Sequence, residues 1–280
     1  MAATVTTARE RKNRATAVSS QPVAQLGKGV IAVWSVLVFI AFIGVWEGIT
    51  RLGLVHPIVL PPPGDVAGAL VDLVTSELFF THLSTTIFET LAGFCLGGIA
   101  AFVVALLDVM FPLVRRALRP YVVTLQAMPK IALVPLIITW LGFGMASKVA
   151  QAGLLTFFPV FINTVVGLTV VAQYTEPLMR SLTASKWQTF RYLQLPSALP
   201  SMFAGLKTGL SFALIGAVVS EMIGARRGLG VILVRYQAGF DIELMYAVIV
   251  VMAIVGVALF LLIGWIDRRV VFWRRDRPFF

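Results

Sequence analysis

Residues 176–201 read EPLMRSLTASKWQTFRYLQLPSALPS and form a polar stretch between two strongly apolar segments. The apolar side chains of this stretch are spaced so that one side of a short helix would be apolar; they are Leu178, Leu182, Trp187, Phe190 and Leu193. Pro196 lacks an amide proton and disfavours helix at Leu195, so we expect the helix to end there. Pro200 suits the first turn of the helix that follows. The stretch therefore predicts an amphipathic helix, a proline turn and a return into apolar surroundings.

The composition of the whole chain is typical of a protein whose solvent is lipid. Of the 280 residues, 59% are hydrophobic and 13% are charged, whereas soluble domains carry about 25% charged residues. The mean hydropathy is +0.91. The net charge of +10 does not indicate a nucleic acid partner, because the basic residues lie in short patches between apolar runs. With Cys95 as the single cysteine and His56 and His82 as the only histidines, we expect no disulfide framework, no metal cluster and no cofactor.

Six segments are long and apolar enough to cross a bilayer, for which a helix needs about 20 residues; they are roughly 29–50, 85–108, 121–143, 149–172, 202–223 and 244–266. The third is the most broken, with Pro129 and Pro135 inside it and Lys130 near one end. Because kinked membrane helices often line a path, this segment is our first candidate for a pore wall. Residues 1–28 are polar and predict a disordered cytoplasmic tail, whereas residues 29–280 predict a transmembrane domain.

The distribution of basic residues predicts how these segments are oriented. With the N-terminus in the cytosol, most of the 23 Lys and Arg residues fall on the cytosolic side, including Lys130 and those of residues 176–201. The external remainder consists of Arg51, Lys148, Arg226, Arg227 and Arg235. We therefore expect both termini and the polar stretch to face the cell interior.

The polar stretch resembles the EAA loop in permease subunits of binding-protein-dependent ATP-binding-cassette importers. Leu195-Pro196 matches the Leu-Pro that ends the family pattern, Leu193 stands at its Ile and Thr183 at its Gly. Pro177-Leu178-Met179 falls on the EAA triplet itself, so the match is partial. Leu182-Thr183-Ala184-Ser185 is similar to the Leu-Gly-Ala-Ser of the taurine, alkanesulfonate and nitrate branch, with Thr in place of Gly.

Further landmarks of the same branch follow in the family's order over about residues 57–235. They are Leu60 to Gly64, His82-Leu83, Thr85-Thr86, Gly93-Phe94, Pro129, Ala132, Pro135-Leu136, Trp140-Leu141-Gly142, Phe158-Pro159, Asn163-Thr164, Gly167, Glu221-Met222 and Gly228-Leu229-Gly230. Together they are far more specific than the loop alone.

The resemblance implies an all-α integral membrane protein with about six spans and the type I importer permease fold, located in the bacterial inner membrane. It implies a pathway formed with a second permease copy, a homodimer, within the lipid bilayer. It also implies two copies of a separate ATPase on the cytosolic side and an extracytoplasmic substrate-binding protein. Relatives of this kind import sulfonates, nitrate, vitamin precursors or aromatic acids, and the mechanism is alternating access.

Two sets of site residues follow from that resemblance. The expected surface that couples to the ATPase comprises Leu182, Thr183, Ala184, Ser185, Lys186, Trp187, Leu195 and Pro196. The expected translocation pathway comprises Gln126, Met128, Pro129, Phe158, Asn163 and Glu221.

The sequence contains no Gly-x-x-x-x-Gly-Lys-Ser/Thr motif, so the chain does not hydrolyse ATP by that route and is not expected to be an enzyme. One alternative is a secondary transporter or channel that works without ATP, driven through Glu89 or Glu221; another is a membrane scaffold. The lack of a charged relay through the membrane and of a convincing internal repeat speaks against the secondary transporter.

Four acidic residues lie in or near the predicted spans, where charge is costly and indicates function by default; they are Glu47, Glu89, Asp108 and Glu221. We expect the first three to reach water at an interface. For Glu221, a gate or structural contact and plain solvation both stay open. The pairs Gly93/Gly97 and Gly205/Gly209 predict close helix contacts, for which internal packing is favoured over a subunit interface. Phe157, Phe158 and Phe161 either line a cavity or, more commonly for such residues, face lipid.

Overall fold

A computed structural model describes residues 28–273. The disordered tail predicted over residues 1–28 lies outside the described residues except for its last position. The chain divides into two compact units, one ending at His56 and the other beginning at Pro57. The described part is helical and contains no strand. The first unit contributes α1, Lys28–Arg51, an apolar helix long enough to cross a membrane.

The second unit contains eight further helices. They are α2 (Pro63–Thr75), α3 (Phe79–Met110), α4 (Pro112–Ala127), α5 (Val134–Leu141), α6 (Met145–Ser181), α7 (Lys186–Gly224), α8 (Leu229–Gly239) and α9 (Ile242–Val270). A 3₁₀ turn, Lys130–Leu133, precedes α5. Counting α4 and α5 as one bent span, the described chain has six candidate membrane spans. This confirms the predicted fold class.

The predicted third span, residues 121–143, is wrong as a single helix. Its two halves, α4 and the segment Lys130–Leu141, meet at 93°. The cause is Pro129, because the residue before a proline is driven into extended conformation. Met128 accordingly has φ −72° and ψ 140°, and Pro129 itself has ψ 90°. The chain therefore turns sharply instead of kinking within a continuous helix.

Helix α6 is the centre of the second unit and packs closely against α3 and α7. The contacts are made at glycines, where a Cβ atom would collide with the neighbouring helix. A Cβ on Gly93 of α3 would lie 2.8 Å from the carbonyl oxygen of Val149, and one on Gly205 of α7 would lie 2.9 Å from that of Pro159. The prediction that these glycines serve internal packing is confirmed.

A second apolar cluster joins α2, α8 and α9. Leu73, Leu229 and Val248 are buried there together. Helix α2 begins at the last of three consecutive prolines, and its apolar side is packed in the core, where Val66, Ala69 and Leu73 are buried. Helix α8 was not expected from the sequence, because its eleven residues are too few to be recognised as a membrane span.

The expectation that the phenylalanines of α6 face lipid is wrong for two of the three. Phe158 and Phe161 are each only 5% exposed, because they point toward neighbouring helices of the same unit. Phe157 is half-buried and stacks on Phe161 with a ring-centroid distance of 5.7 Å. These rings fill the interior beside α6.

Candidate functional site

The connection between α6 and α7, residues 182–185, differs from the helix and proline turn that the sequence predicts. Helix α6 ends at Ser181, and a new helical segment begins at Lys186. The expected turn at Leu195-Pro196 is absent. Residues 190–194 form a π-helical turn, in which the N–H of Leu195 reaches the carbonyl of Phe190. This wider turn accommodates Pro196, which has no N–H to donate, so α7 runs on without a break.

The α6–α7 connection is held in a defined conformation by its own side chains. Thr183 has φ 55°, a left-handed conformation that β-branched residues rarely adopt. Ser185 then caps α7 with reciprocal hydrogen bonds: its hydroxyl accepts the N–H of Gln188 at 3.2 Å, and the Gln188 side chain accepts the N–H of Ser185 at 2.8 Å. The N–H of Ala184 donates to the carbonyl of Met179 at 3.0 Å. The connection is thus a structured corner.

Large apolar side chains project from this corner. Leu182 is 65% exposed and Trp187 is 61% exposed. Trp187 stacks on Phe190 at a ring-centroid distance of 5.8 Å. Of the eight residues predicted to couple to an ATPase, the structure brings six together here, from Leu182 to Trp187. Leu195 and Pro196 lie two turns further along α7 and are half-buried.

The residues predicted to line a pathway fall into three separate places. Gln126, Met128 and Pro129 are exposed at the break between α4 and α5, and Phe158 lies close to that break. Asn163 is at a contact between α6 and α7, where its side chain donates to the carbonyl of Pro159 at 2.8 Å and its own carbonyl accepts the Ser201 hydroxyl at 2.8 Å.

Lys130 joins the break to α6. Its ammonium donates to the Gln126 carbonyl at 3.2 Å and lies 4.5 Å from the centre of the Phe158 ring. The carbonyl of Lys130 accepts the side-chain amide of Gln151 at 3.1 Å. These contacts place Lys130 beside α6 between Gln151 and Phe158, in the half of the helix remote from the α6–α7 connection, whereas the sequence predicts Lys130 and that connection on the same side.

The third place, around Glu221, is a buried polar cluster at the end of α7 remote from the α6–α7 connection. Glu221 is 1% exposed, which excludes plain solvation and leaves a gate or a structural contact. Its carboxylate accepts the Thr86 hydroxyl at 2.7 Å and the N–H of Gly230 at 2.7 Å. The Thr86 oxygen in turn accepts the N–H of Leu229 at 2.8 Å.

This arrangement caps α8, because the first N–H groups of a helix have no partner within it. Next to it, Nδ1 of His82 lies 3.0 Å from both the N–H and the carbonyl oxygen of Gly228, and it accepts from the first or donates to the second according to its tautomer. Gly228 has φ 124°, and a Cβ at this position would collide with the Glu221 carboxyl. Glycine at residue 228 is thus required both by backbone conformation and by space.

Two further charged residues complete the Glu221 cluster. Glu89 is buried and faces Glu221, so the expectation that it reaches water is wrong: α3 begins at Phe79, six residues before the predicted start of the span. The buried Lys148 donates to the carbonyls of Phe143 and Gly224, at 2.5 Å and 3.1 Å. The second contact places the start of α6 beside the end of α7.

The two remaining membrane acids are paired with basic residues. Asp108 is buried, contrary to expectation, and lies 3.4 Å from Arg115. Glu47 forms an ion pair with Arg51 one turn later on α1 and is partly exposed. Among the described residues, no group of three or more His, Cys, Asp or Glu side chains is arranged to hold a metal ion.

Sequence reasoning identified Glu221 and the Gly228-Leu229-Gly230 segment but missed most of their partners. Thr86 and His82 precede Leu229 and Gly228 by 143 and 146 residues, so no local pattern reveals the contact. A second missed feature is the buried ion pair between Lys207 of α7 and Asp267 of α9, 2.6 Å apart. The sequence offered one signal for this pair, because Lys207 and Asp267 lie near the ends of two consecutive predicted spans.

Comparison with known proteins yields one family and several relatives. The family described as binding-protein-dependent transport system inner membrane component matches residues 93–272. The riboflavin transport system permease protein RibX of Chloroflexus aurantiacus is 35% identical over 81% of this chain and 85% of its own. The formylaminopyrimidine transport permease protein ThiX of Halalkalibacterium halodurans is 35% identical over 86% of this chain and 96% of its own.

More distant matches agree with these. The taurine transport system permease protein TauC of Escherichia coli is 29% identical over 83% of this chain and 86% of its own. Among solved structures, an amino acid ABC transporter crystallised with histidines has a TM-score of 0.56 and 16% identity, covering 69% of this chain and 92% of the other. At that identity the likeness concerns the fold alone.

Proposed function

Since the chain belongs to the family of binding-protein-dependent transport system inner membrane components and is therefore a permease subunit rather than an enzyme, we propose that it couples to a separate ATPase through the α6–α7 connection. The resemblance inferred from the sequence is thus confirmed. The chain is a multi-pass protein of the inner membrane, and its family implies an ATPase and a substrate-binding protein as partners.

The observation that carries the proposal is the exposure of Leu182 and Trp187 on a rigid corner of the chain. Large apolar residues that stay exposed together are typical of surfaces that bind another protein. The left-handed conformation of Thr183 and the Ser185–Gln188 cap fix the positions of Leu182 and Trp187. A partner that binds these side chains and moves therefore displaces α7 with them. On this proposal the corner faces the cytosol, as do both chain termini.

Helix α7 supplies the mechanical link. It runs without interruption from Lys186 to Gly224 over 39 residues, which corresponds to about 58 Å at 1.5 Å per residue. One end of α7 carries the proposed ATPase contact, and the other carries Glu221, which holds the start of α8. A displacement at the corner is therefore delivered to the Glu221 cluster on the opposite side of the membrane.

In the proposed cycle, ATP-driven closure of two ATPase copies draws together the corners of two permease copies. The paired permeases form the pathway, which then opens toward the extracytoplasmic binding protein; hydrolysis reverses the change. Such a cycle needs two discrete packings that the partner biases. The close glycine contacts of α6 with α3 and α7 favour rigid-body movement of these helices over continuous deformation.

The solute is proposed to be a small organic or inorganic compound such as a sulfonate, nitrate, a vitamin precursor or an aromatic acid. Support comes from relatives whose names refer to riboflavin, formylaminopyrimidine and taurine transport. The pathway is proposed to pass the break between α4 and α5, where Gln126, Met128 and Pro129 are exposed beside Phe158.

The test is reconstitution of the permease in proteoliposomes with and without its ATPase and binding protein. We expect solute uptake only when both partners and ATP are present. Uptake by the permease alone, driven by an ion gradient, would instead establish a secondary transporter. ATPase activity that is insensitive to loaded binding protein, with no uptake, would indicate a scaffold.

A further inference from the structure

The break between α4 and α5 holds a cation against α6, a helix that is long and apolar enough to cross a membrane. The ammonium of Lys130 lies 4.5 Å from the centre of the Phe158 ring. Phe158 belongs to the candidate span Met145–Thr169. An ionisable residue that packs against a membrane span indicates a functional site by default.

Lys130 differs from the two other lysines that are buried in the spans. Lys148 lies among two carbonyls and the carboxyl groups of Glu89 and Glu221. Lys207 is paired with Asp267. For Lys130, no carboxylate lies within ion-pair distance in the part of the chain that the structure describes. Its positive charge is therefore balanced only by a carbonyl dipole and by the face of an aromatic ring.

The position of Lys130 is fixed, while part of its side chain stays accessible. The side-chain amide of the fully buried Gln151 holds its carbonyl at 3.1 Å, so the 3₁₀ turn that carries it is anchored on α6. The residue is half-buried, and the neighbouring Gln126, Met128 and Pro129 are exposed. An ammonium has three donors; one is used by the Gln126 carbonyl and the Phe158 ring covers another side.

We propose that Lys130 binds the anionic group of the transported solute as the solute passes the break, with Phe158 as the adjoining wall. The class of solute is a small organic anion bearing a carboxylate or sulfonate. This inference rests on the proposed transport function and adds to it a charge requirement set by one residue. Broken spans place binding groups near the middle of the membrane, because the unwound segment exposes polar groups there.

The experiment uses the complete complex of permease, ATPase and binding protein in proteoliposomes. Initial uptake rates are measured for ethanesulfonate and benzoate as anionic probes and for riboflavin as a neutral probe. The variants are Lys130→Met, Lys130→Arg and, as a matched control that removes an exposed cation from α4, Arg119→Met.

We expect uptake of an anionic probe by the wild type, a KM at least tenfold higher in Lys130→Met, and recovery to within threefold in Lys130→Arg. Arg119→Met should behave as the wild type does. The ATPase rate without solute should be unchanged in all variants, which separates solute recognition from coupling and from misfolding.

Three uptake results would overturn the proposal. They are an unchanged KM in Lys130→Met, uptake of riboflavin in preference to both anions, and uptake of neither anion by the wild type. In the second case the importer function stands, because ATP-dependent uptake is still observed. Loss of the ATPase rate in Lys130→Met together with Lys130→Arg would assign the lysine a structural role and would also contradict the proposal.

Discussion

The carboxylate of Glu221, near the end of α7, accepts the N–H of Gly230 in the first turn of α8 at 2.7 Å. The same carboxylate accepts the hydroxyl of Thr86 from α3. One buried acid thus ties α7 both to α8, the next helix in the chain, and to α3, whose Thr86 lies 135 residues earlier. Because α7 also carries the proposed ATPase contact at its other end, a movement of α7 would be transmitted through the Glu221 hydrogen bonds to α3 and α8.

The first prediction concerns the hydrogen-bond acceptors that Glu221 provides. Glu221→Gln keeps the size of the side chain but replaces one acceptor by an NH₂ donor. Facing Gly230, this donor meets another N–H; facing Thr86, it forces the hydroxyl to give up its bond to the carboxylate and turn its proton to the His82 carbonyl at 3.3 Å. A buried donor left without an acceptor costs about 1–3 kcal/mol. We expect a lower midpoint of thermal unfolding in detergent. The control is Glu77→Gln at an exposed position, which should leave the midpoint unchanged; equal midpoints for both variants would contradict the prediction.

The second prediction separates backbone strain from collision at Gly228. In Gly228→Ala the alanine must adopt a positive φ, and its new methyl group also collides with the Glu221 carboxyl. In Gly53→Ala the residue also has a positive φ, 70°, but nothing lies within 4 Å of the new Cβ. Strained backbone alone costs about 1–3 kcal/mol. We expect Gly228→Ala to lower the unfolding midpoint clearly more than Gly53→Ala does. The reverse order would show that the Glu221 side chain moves away from the new methyl group at little cost in free energy.

The third prediction concerns the left-handed residue of the α6–α7 connection. Thr183 stands where the EAA pattern has glycine, and its φ of 55° explains that preference physically. Thr183→Gly removes a steric cost of about 1–2 kcal/mol, partly offset by about 0.4–1 kcal/mol of extra chain entropy in the unfolded state. We expect the variant to be slightly more stable than the wild type and to retain coupled uptake.

Ala184→Gly is the matched control for that change, since Ala184 has no positive φ. Only the entropic cost remains there, so this variant should be less stable. If calorimetry or differential scanning fluorimetry found Thr183→Gly no more stable than Ala184→Gly, the strain at Thr183 would be refuted.

The fourth prediction concerns the ion pair between Lys207 and Asp267, whose atoms are 2.6 Å apart and whose side chains are each 10% exposed. Removing one partner leaves a buried charge uncompensated, which typically costs about 3–5 kcal/mol. We expect Lys207→Met to lower the unfolding midpoint strongly and to reduce the yield of folded protein. The double variant Lys207→Met/Asp267→Leu should recover most of the loss; a double variant as unstable as the single one would mean that the pair acts through other contacts.

Hydrophobic run length was enough to predict the fold class and the number of spans, because lipid imposes one simple length requirement on every span. The glycine pairs on α3 and α7 were also predicted correctly, since small-x-x-x-small spacing has a direct packing consequence. Helix ends were harder. Assigning the start of α3 to residue 85 instead of Phe79 moved Glu89 from the buried interior to an apparent interface.

Proline was the least reliable signal, because its effect depends on the neighbouring backbone. Pro129 breaks its span at 93°, whereas Pro196 is carried through in α7 by a preceding π-helical turn. The sequence predicts the reverse, namely a kink within one span at Pro129 and a helix end at Leu195-Pro196. The contacts of Glu221 and Lys130 could not be predicted at all, since they join residues on different helices through tertiary packing.

The final prediction tests the α6–α7 connection as the contact for the ATPase. Leu182→Glu and Trp187→Glu each place a charge on the exposed apolar surface. Aromatic anchors at protein interfaces contribute about 2 kcal/mol or more, which corresponds to roughly a thirtyfold loss of affinity. Both variants should fold normally, since both side chains are already more than half exposed. We expect them to lose co-purification with the ATPase and ATP-driven uptake.

Phe240→Glu is the control for this experiment. Phe240 is a large apolar residue, 74% exposed, with φ 59° like Thr183, but it lies in the turn between α8 and α9. Because α7 passes from one side of the membrane to the other before that turn, Phe240 is on the side away from the proposed ATPase contact. Its variant should bind the ATPase as the wild type does. Loss of binding in all three variants, or in none, would remove the basis for assigning the contact to the α6–α7 connection.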